Sequence, residues 1–348
     1  MKVTFVEPPI AGHKNRGTGV YLTNLFSALE KNGVDLELVD TKHIPKDSDI
    51  VHFPYFDPFF LTLPFSIPKN SVITIHDLTP LVFPESFPKG IKGEIKWQIN
   101  KIIAKKSRAI ITDSKSSQKD ITKYLGIPEE RVCPIYLAPG NEFRKISEKK
   151  ILVPLREKYS LPEKFILYVG DLNPNKNILG LIEGFYSATK KHSDVSLVIV
   201  GNAFENNDSA PYQEMLEFID KLSLGDKINI LGFVPSEDLI GIYNLSYLYI
   251  QPSLYEGFGL PVLEAMKCGV PAVVADVSSL AEIAGEAAEM VDPKDPENIA
   301  EGINKILNMD GKKYNLLAKK SFNHAEKFSW EKTAEETIEV YKQILHRV

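Results

Sequence analysis

The chain holds 348 residues, 43% hydrophobic and 25% charged, which is longer than one core ordinarily supports and predicts two domains of about 150 to 190 residues. A net charge of −5 argues against a general nucleic-acid binder, although a local basic patch remains compatible with it. Two cysteines, Cys133 and Cys268, exclude a disulfide framework and point to a reducing, cytoplasmic setting.

The opening MKVTFVEPPI is interrupted by Glu7 and two prolines before it can form the apolar core of a secretory leader. The run FFLTLPFSI is too short and too proline-marked to span a bilayer. Lys2–Val6 reads as a strand, followed by the polar, glycine-rich loop AGHKNRGTG and a helix over residues 20–29, where apolar residues recur at helical spacing. Gly17 and Gly19 resemble the start of a dinucleotide fingerprint, but Leu22 stands at the third glycine position. A flexible lip over a ligand and an ordinary surface turn are both open for this loop.

Residues 34–39, 50–53 and 71–75 read as further strands, the last ending in His76 and Asp77. A polar pair there stands where a parallel sheet exposes its working residues, and a satisfied structural histidine is the alternative. Residues 90–108 change pattern. Ile91, Ile95, Ile99, Ile102 and Ile103 form an apolar stripe, and Lys89, Lys92, Lys96, Lys101, Lys105, Lys106 and Arg108 load the segment with positive charge against Glu94 alone. Such a helix packs on a sheet with a basic solvent face or lies against anionic lipid. A strand at 109–112 leads to a helix capped by Asp113 or Ser114 and stopped by Gly126. Residues 132–136 make another strand.

The second half alternates strand and helix, which predicts a parallel sheet with helices on both faces. Strands are expected at 165–169, 195–200 and 228–231, with a helix after 235 capped by Ser236. Lys176 stands just before a helix, where it forgoes a favourable dipole interaction, so an anion between the two is the natural partner. Residues 247–274 then read as strand, tight loop, helix, glycine stop and strand. Glu256 precedes Gly257 and Gly259 at the strand's mouth, and Glu264 lies in about the first turn of the helix, where a carboxylate also stabilises the dipole. The last helix begins after Ser329 with a stripe of Trp330, Ala334, Ile338, Tyr341 and Leu345.

The segment EGFGLPVLEAMKCGVPAVVAD, whose two glutamates are separated by seven residues, is supported in order by FILYVGDLNPNKNILGLIEGF, NILGFVPSEDL, ITIHDL, ITDSKSS and RGTG. With these motifs the chain resembles the family 4 retaining glycosyltransferases of GT-B architecture, over nearly its whole length. The resemblance implies two facing Rossmann-like domains with a nucleotide sugar in the cleft. The expected boundaries are 1–143 for an acceptor-side domain, 144–164 for a linker and lead-in, 165–328 for the donor domain, and 329–348 for a helix crossing back onto the first domain. It implies catalytic roles for Glu256 beside the donor sugar, Lys176 at the diphosphate and His76 from the first domain. It also implies donor contacts from Gly17, Gly19, Asn175, Val234, Gly257, Phe258, Gly259, Leu260 and Glu264, the last on the ribose hydroxyls, with Phe233 and Val234 bordering the base.

Many relatives carry an arginine where this chain has Asp171 or Asn175, so the diphosphate must rely on Lys176, loop amides and a helix dipole, or recruit Arg16 or Arg144. No paired carboxylates of DxD spacing sit in a strand-end loop, and transfer without a metal or other cofactor is expected. THDLTPLVFPE resembles mannosyltransferases of polysaccharide assembly, which makes GDP-mannose the expected donor and a glycan or lipid-linked oligosaccharide the expected acceptor, with peripheral membrane contact through the basic helix. UDP-glucose as donor, a nucleotide-sugar epimerase of the same architecture, and a non-catalytic nucleotide-sugar-binding protein are the alternatives.

Overall fold

The structure is a computed structural model that describes residues 1–8, 17–205 and 208–346. Arg16 and most of the loop before it lie outside the described residues. The chain divides into two units, Met1–Ala138 with Phe328–Val348, and Pro139–Lys327.

The first unit contains β1 (Lys2–Val6), α1 (Gly17–Lys31), β2 (Asp35–Val39), β3 (Ile50–Phe53), β4 (Ser71–Thr74), α2 (Thr79–Val82), α3 (Gly90–Ala104), β5 (Ala109–Thr112), α4 (Lys115–Leu125) and β6 (Val132–Pro134). Its strands form one parallel sheet in the order β2-β1-β3-β4-β5-β6. β3, β4 and β5 are buried at every position, as strands covered on both faces must be. α1 begins at Gly17, so Gly17 and Gly19 stand in its first turn and not in a loop.

α3 corrects one expectation. Its buried residues are Gly93, Trp97, Asn100, Ile103 and Ala104, while Ile91, Ile95 and Ile102 are exposed, so most of the isoleucine stripe does not pack on the sheet. Asn100 can occupy the buried face because its amide donates to the carbonyls of Asp57 and Phe60, at 2.9 and 2.6 Å, which fixes the loop before β4 on the helix.

The second unit contains α5 (Lys149–Lys158), β7 (Phe165–Val169), α6 (Ile178–Thr189), β8 (Ser196–Val200), α7 (Ala210–Lys221), β9 (Ile228–Gly232), α8 (Ser236–Leu245), β10 (Leu248–Gln251), α9 (Leu260–Lys267), β11 (Ala272–Ala275), α10 (Ser278–Ala284), β12 (Glu289–Val291), α11 (Pro296–Leu307) and α12 (Gly311–Ala325). The parallel sheet runs β12-β11-β10-β7-β8-β9. Successive strands therefore spread one way from β7 and the other way from β10, which creates a topological switch point between these two neighbours. Residues 149–158, within the stretch expected to link the domains, form α5 and pack on α8. Ser236 is the first residue of α8, not its cap.

The final helix, α13 (Trp330–His346), belongs to the first unit and packs on α1 and β5. Its buried stripe is Trp330, Thr333, Ala334, Thr337, Val340, Tyr341 and Ile344, displaced from the expected one, with Ile338 and Leu345 only half-buried. A buried polar line holds it. The Tyr341 hydroxyl lies 2.6 Å from His52 Nδ1, His52 Nε2 lies 2.7 Å from Thr74 Oγ1, and Thr74 Oγ1 lies 2.9 Å from the Tyr21 hydroxyl. Burial pushes the His52 pKa down to about 3, so the ring is neutral. Among the described residues no helix is long and apolar enough to cross a membrane.

Tyr341→Phe removes the hydroxyl and leaves a buried ring nitrogen unpaired, which costs about 1–3 kcal/mol. Both tryptophans, Trp97 and Trp330, lie in the first unit, so urea denaturation followed by tryptophan fluorescence reads that loss directly. An unchanged midpoint would contradict the anchoring role of the line.

Candidate functional site

A polar constellation stands at the carboxyl end of the sheet in each unit. In the second unit the loops after β7 and β10 emerge side by side at the switch point. Lys176 Nζ, from the first loop, lies 2.8 Å from both Oε1 and Oε2 of Glu256, from the second. Glu256 is 8% exposed, and its Oε1 also accepts from Gln251 Nε2 at 2.9 Å and Ser253 Oγ at 2.8 Å. A carboxylate removed from water needs this many donors to stay where it is.

The backbone around the pair is equally constrained. Ser279 Oγ donates to the carbonyls of Glu256 and Phe258, at 2.8 and 2.9 Å, and Glu256 N donates to Ser278 Oγ at 3.0 Å. Gly259 has φ +106°, and a Cβ there would stand 2.6 Å from Leu280 Cδ2, so both conformation and packing require glycine before Leu260 opens α9. Asn175 is buried and gives its amide to the Tyr255 carbonyl at 3.0 Å, while its own carbonyl accepts from Leu254 N at 2.8 Å. Asn177, just before α6, reaches the carbonyls of Pro252 and Pro293 at 3.0 and 2.6 Å. These amides tie the two loops into one floor.

Glu264 lies one residue beyond the first turn of α9 and accepts from the Tyr243 hydroxyl at 2.8 Å. Burial, with the charge of Glu142 adding to it, pushes the carboxyl up to about 7. Its surroundings, more than the helix dipole, set its state. Val234 is buried after β9, whereas the Phe233 ring beside it is 58% exposed. Gly257 and Phe258 lie in the same loop as Glu256.

In the first unit His76 follows β4, and its Nδ1 lies 2.8 Å from Oδ2 of Asp113, which follows the neighbouring strand β5. Asp113 is buried, and the Tyr21 ring meets the imidazole edge-on at 4.8 Å. Burial alone lowers the His76 pKa, but the charge and hydrogen bond of Asp113 outweigh it and the net shift is upward. Nε2 is buried and has no hydrogen-bond partner among the described residues. An imidazole held at one nitrogen and open at the other is arranged to meet a substrate hydroxyl or to move a proton.

The structure thus brings Lys176, Glu256, Asn175 and the Gly257–Leu260 stretch together, and places His76, Gly17 and Gly19 in the first unit. Sequence reasoning missed Asp113, Gln251 and Ser253. Asp113 was visible only as one of two candidate caps, and Ser114 takes the cap by accepting from Ser117 N. Among the described residues no three His, Cys, Asp or Glu side chains gather as metal ligands.

Comparison with known proteins agrees with this geometry. The family described as "Glycosyl transferases group 1" matches residues 155–324, and "Glycosyltransferase Family 4" matches residues 40–138. O-antigen chain mannosyltransferase B of Escherichia coli is 30% identical over 84% of this chain and 75% of its own length. Serotype-specific mannosyltransferase WbdA of Escherichia coli is 31% identical over 83% of the chain, which spans 35% of that protein. The structure of Anabaena HepE in complex with UDP and glucose is similar in fold, with a TM-score of 0.75 at 19% identity over 97% of this chain and 98% of that one.

Asp113→Asn keeps the shape of the dyad and removes its negative charge, so burial then prevails and the His76 pKa falls below the ordinary 6.5. NMR titration of the imidazole measures this shift. A titration like that of the unsubstituted chain would remove Asp113 from the account.

Proposed function

The chain belongs to the family 4 glycosyltransferases, and from that premise we propose that it moves mannose from GDP-mannose to a hydroxyl of a glycan or lipid-linked acceptor, with retention of configuration. The observation that carries the donor chemistry is the Lys176–Glu256 pair at the switch point of the second unit, where open α/β sheets take their ligands. Support for mannose comes from the two mannosyltransferase relatives, each similar over more than four fifths of this chain.

In the proposed reaction the bond from the anomeric carbon to the diphosphate oxygen breaks, and the acceptor oxygen bonds to that carbon on the same face. The departing phosphate oxygen takes the acceptor's proton. Charge grows on the leaving diphosphate, so the protein's task is electrostatic. The Lys176 ammonium and the first-turn amides of α6 supply a fixed positive potential in a site with little water. These groups provide the stabilisation that a bound metal gives in other enzymes, and transfer without one is part of the proposal.

Glu256, held by Lys176, Gln251 and Ser253, faces the sugar as positive character develops on its ring. It acts as a charge and not as a covalent nucleophile, because its own lone pairs are committed to three donors. His76 offers Nε2 to a sugar hydroxyl, and Glu264 takes the ribose hydroxyls. The exposed Phe233 ring, with Val234 behind it, borders the base, the backbone of Gly257, Phe258, Gly259 and Leu260 lies along the sugar and phosphates, and Gly17 and Gly19 contribute near the phosphates.

Calorimetric titration with GDP-mannose and, under identical conditions, with UDP-glucose tests the donor. Saturable binding of GDP-mannose alone is expected; selective binding of UDP-glucose would keep the transferase and replace its donor, and binding of neither would remove the donor proposal. Glu256→Gln preserves size and most hydrogen bonds, and should lower kcat by about 10²- to 10³-fold at little change in melting temperature. Turnover at the unsubstituted rate would sink the role given to Glu256.

A further inference from the structure

The outward face of α3 takes no part in the chemistry above, yet it is the most apolar exposed surface of the first unit. Six of the thirteen large apolar side chains exposed among the described residues come from α3 and the loop before β4. On α3 they are Ile91, Ile95 and Ile102, at 83%, 55% and 59% exposure, and spacings of four and seven align them along one side of the helix. That side is opposite the one closed by Gly93, Trp97 and Asn100. Phe60 extends it: Asn100 holds its carbonyl, and Lys96 Nζ stands 5.1 Å from its ring centroid. A ridge of this kind marks an interaction surface.

Charge decides what covers the ridge. Lysines surround it, and Glu94, the one carboxylate of α3, is engaged by Lys89 and Gln98. At the C-terminal end of α3 a cavity of about 380 Å³ is lined by Lys69, Lys105, Lys106, Ser107, Arg108 and Arg131, with no carboxylate in its wall. The carbonyls of Lys105 and Ser107 hold the Arg131 guanidinium in place. Among the described residues Lys69, Lys105 and Lys106 form no ion pair. Isoleucines alone would suit any apolar partner. Isoleucines framed by unpaired cations, with a cationic cavity at one end, suit a surface that is anionic outside and apolar beneath.

We propose that this face seats the protein on an anionic lipid bilayer, with Ile91, Ile95, Ile102 and Phe60 entering the interface and the cavity taking a phosphate-bearing headgroup. The proposal is independent of which sugar nucleotide the second unit binds.

Vesicle flotation of the full chain tests it, with phosphatidylcholine alone and with equal parts of phosphatidylcholine and phosphatidylglycerol. The chain should float with the anionic vesicles only and be released by high salt. Each cation near an anionic surface is worth about fivefold, so the Lys105→Glu, Lys106→Glu double variant should lose more than about twenty-five-fold in partitioning. Ile91→Asp with Ile95→Asp should abolish it. All four side chains are exposed, so melting temperatures should stay unchanged. Equal flotation with both vesicle types, flotation with neither, or full binding by either double variant overturns the proposal. Displacement by free inorganic phosphate at matched ionic strength would assign the cavity to a soluble anion and overturn the headgroup contact. A dimer in sedimentation that Ile95→Asp dissociates would assign the ridge to a second copy and overturn the membrane contact.

Discussion

The ion pair between Lys176 and Glu256 is the contact on which the polar floor of the second unit depends. The residues are 80 positions apart, and only the strand order, with β7 and β10 adjacent, lets their loops meet. A paired charge in a protein interior is not cheap, and removing one partner of such a pair typically costs about 3–5 kcal/mol because the other is left unmatched. Here the surroundings have been built to keep both charges. Gln251 and Ser253 satisfy one carboxylate oxygen, Asn175 and Asn177 bind the two loops through their side-chain amides, and Ser279 pins the carbonyls on either side of Gly257. The result is a charged site whose geometry is fixed before any ligand arrives, which is what electrostatic stabilisation of a leaving group requires.

The first unit holds two histidines at neighbouring strand ends, and their environments separate them completely. His52 has both nitrogens occupied, by Tyr341 and Thr74, and is neutral by burial. It is a structural joint through which α13 is fastened to the sheet. His76 has one nitrogen on Asp113 and the other open, and the buried carboxylate favours its charged form. Residue type and strand-end position are shared by the two rings, so neither could distinguish them; the partner of each nitrogen does.

That contrast shows what was legible in the chain and what was not. The strands were, because a parallel sheet covered on both faces demands runs such as IVHF, AIIT and FILYV that hardly another element would use. The loop from Glu256 to Gly259 was legible through its glycines. The orientation of α3 was not. Periodicity reveals that a stripe exists, but the side that packs is chosen by shape and by hydrogen bonding, and Gly93, Trp97 and Asn100 fit the loop and sheet better than the isoleucines do. Asp113 and Ser114 were equivalent as caps by residue type, and only the nearness of β4 to β5 separates them. For α13 the stripe was shifted because Thr333 and Thr337 can be buried: their hydroxyls donate to the carbonyls of Tyr136 and Thr333, so polar residues take places that a purely apolar pattern would assign elsewhere.

The positions at which relatives carry an arginine raise the last point. Asn175 here is buried and already committed to the Tyr255 carbonyl, and Asp171 accepts from Leu172 N, so neither position supplies positive charge. Lys176 is left with both a carboxylate and, in the proposed complex, a diphosphate to serve. An ammonium has three N–H donors; two can be directed at the oxygens of Glu256, and the third remains for a phosphate oxygen. The pair as a whole carries no net charge, so it acts on the diphosphate as a positioned donor and not as an unbalanced cation. The rest of the positive potential has to come from dipoles, and α6, twelve residues long and starting two positions after Lys176, points its N-terminus from the same loop.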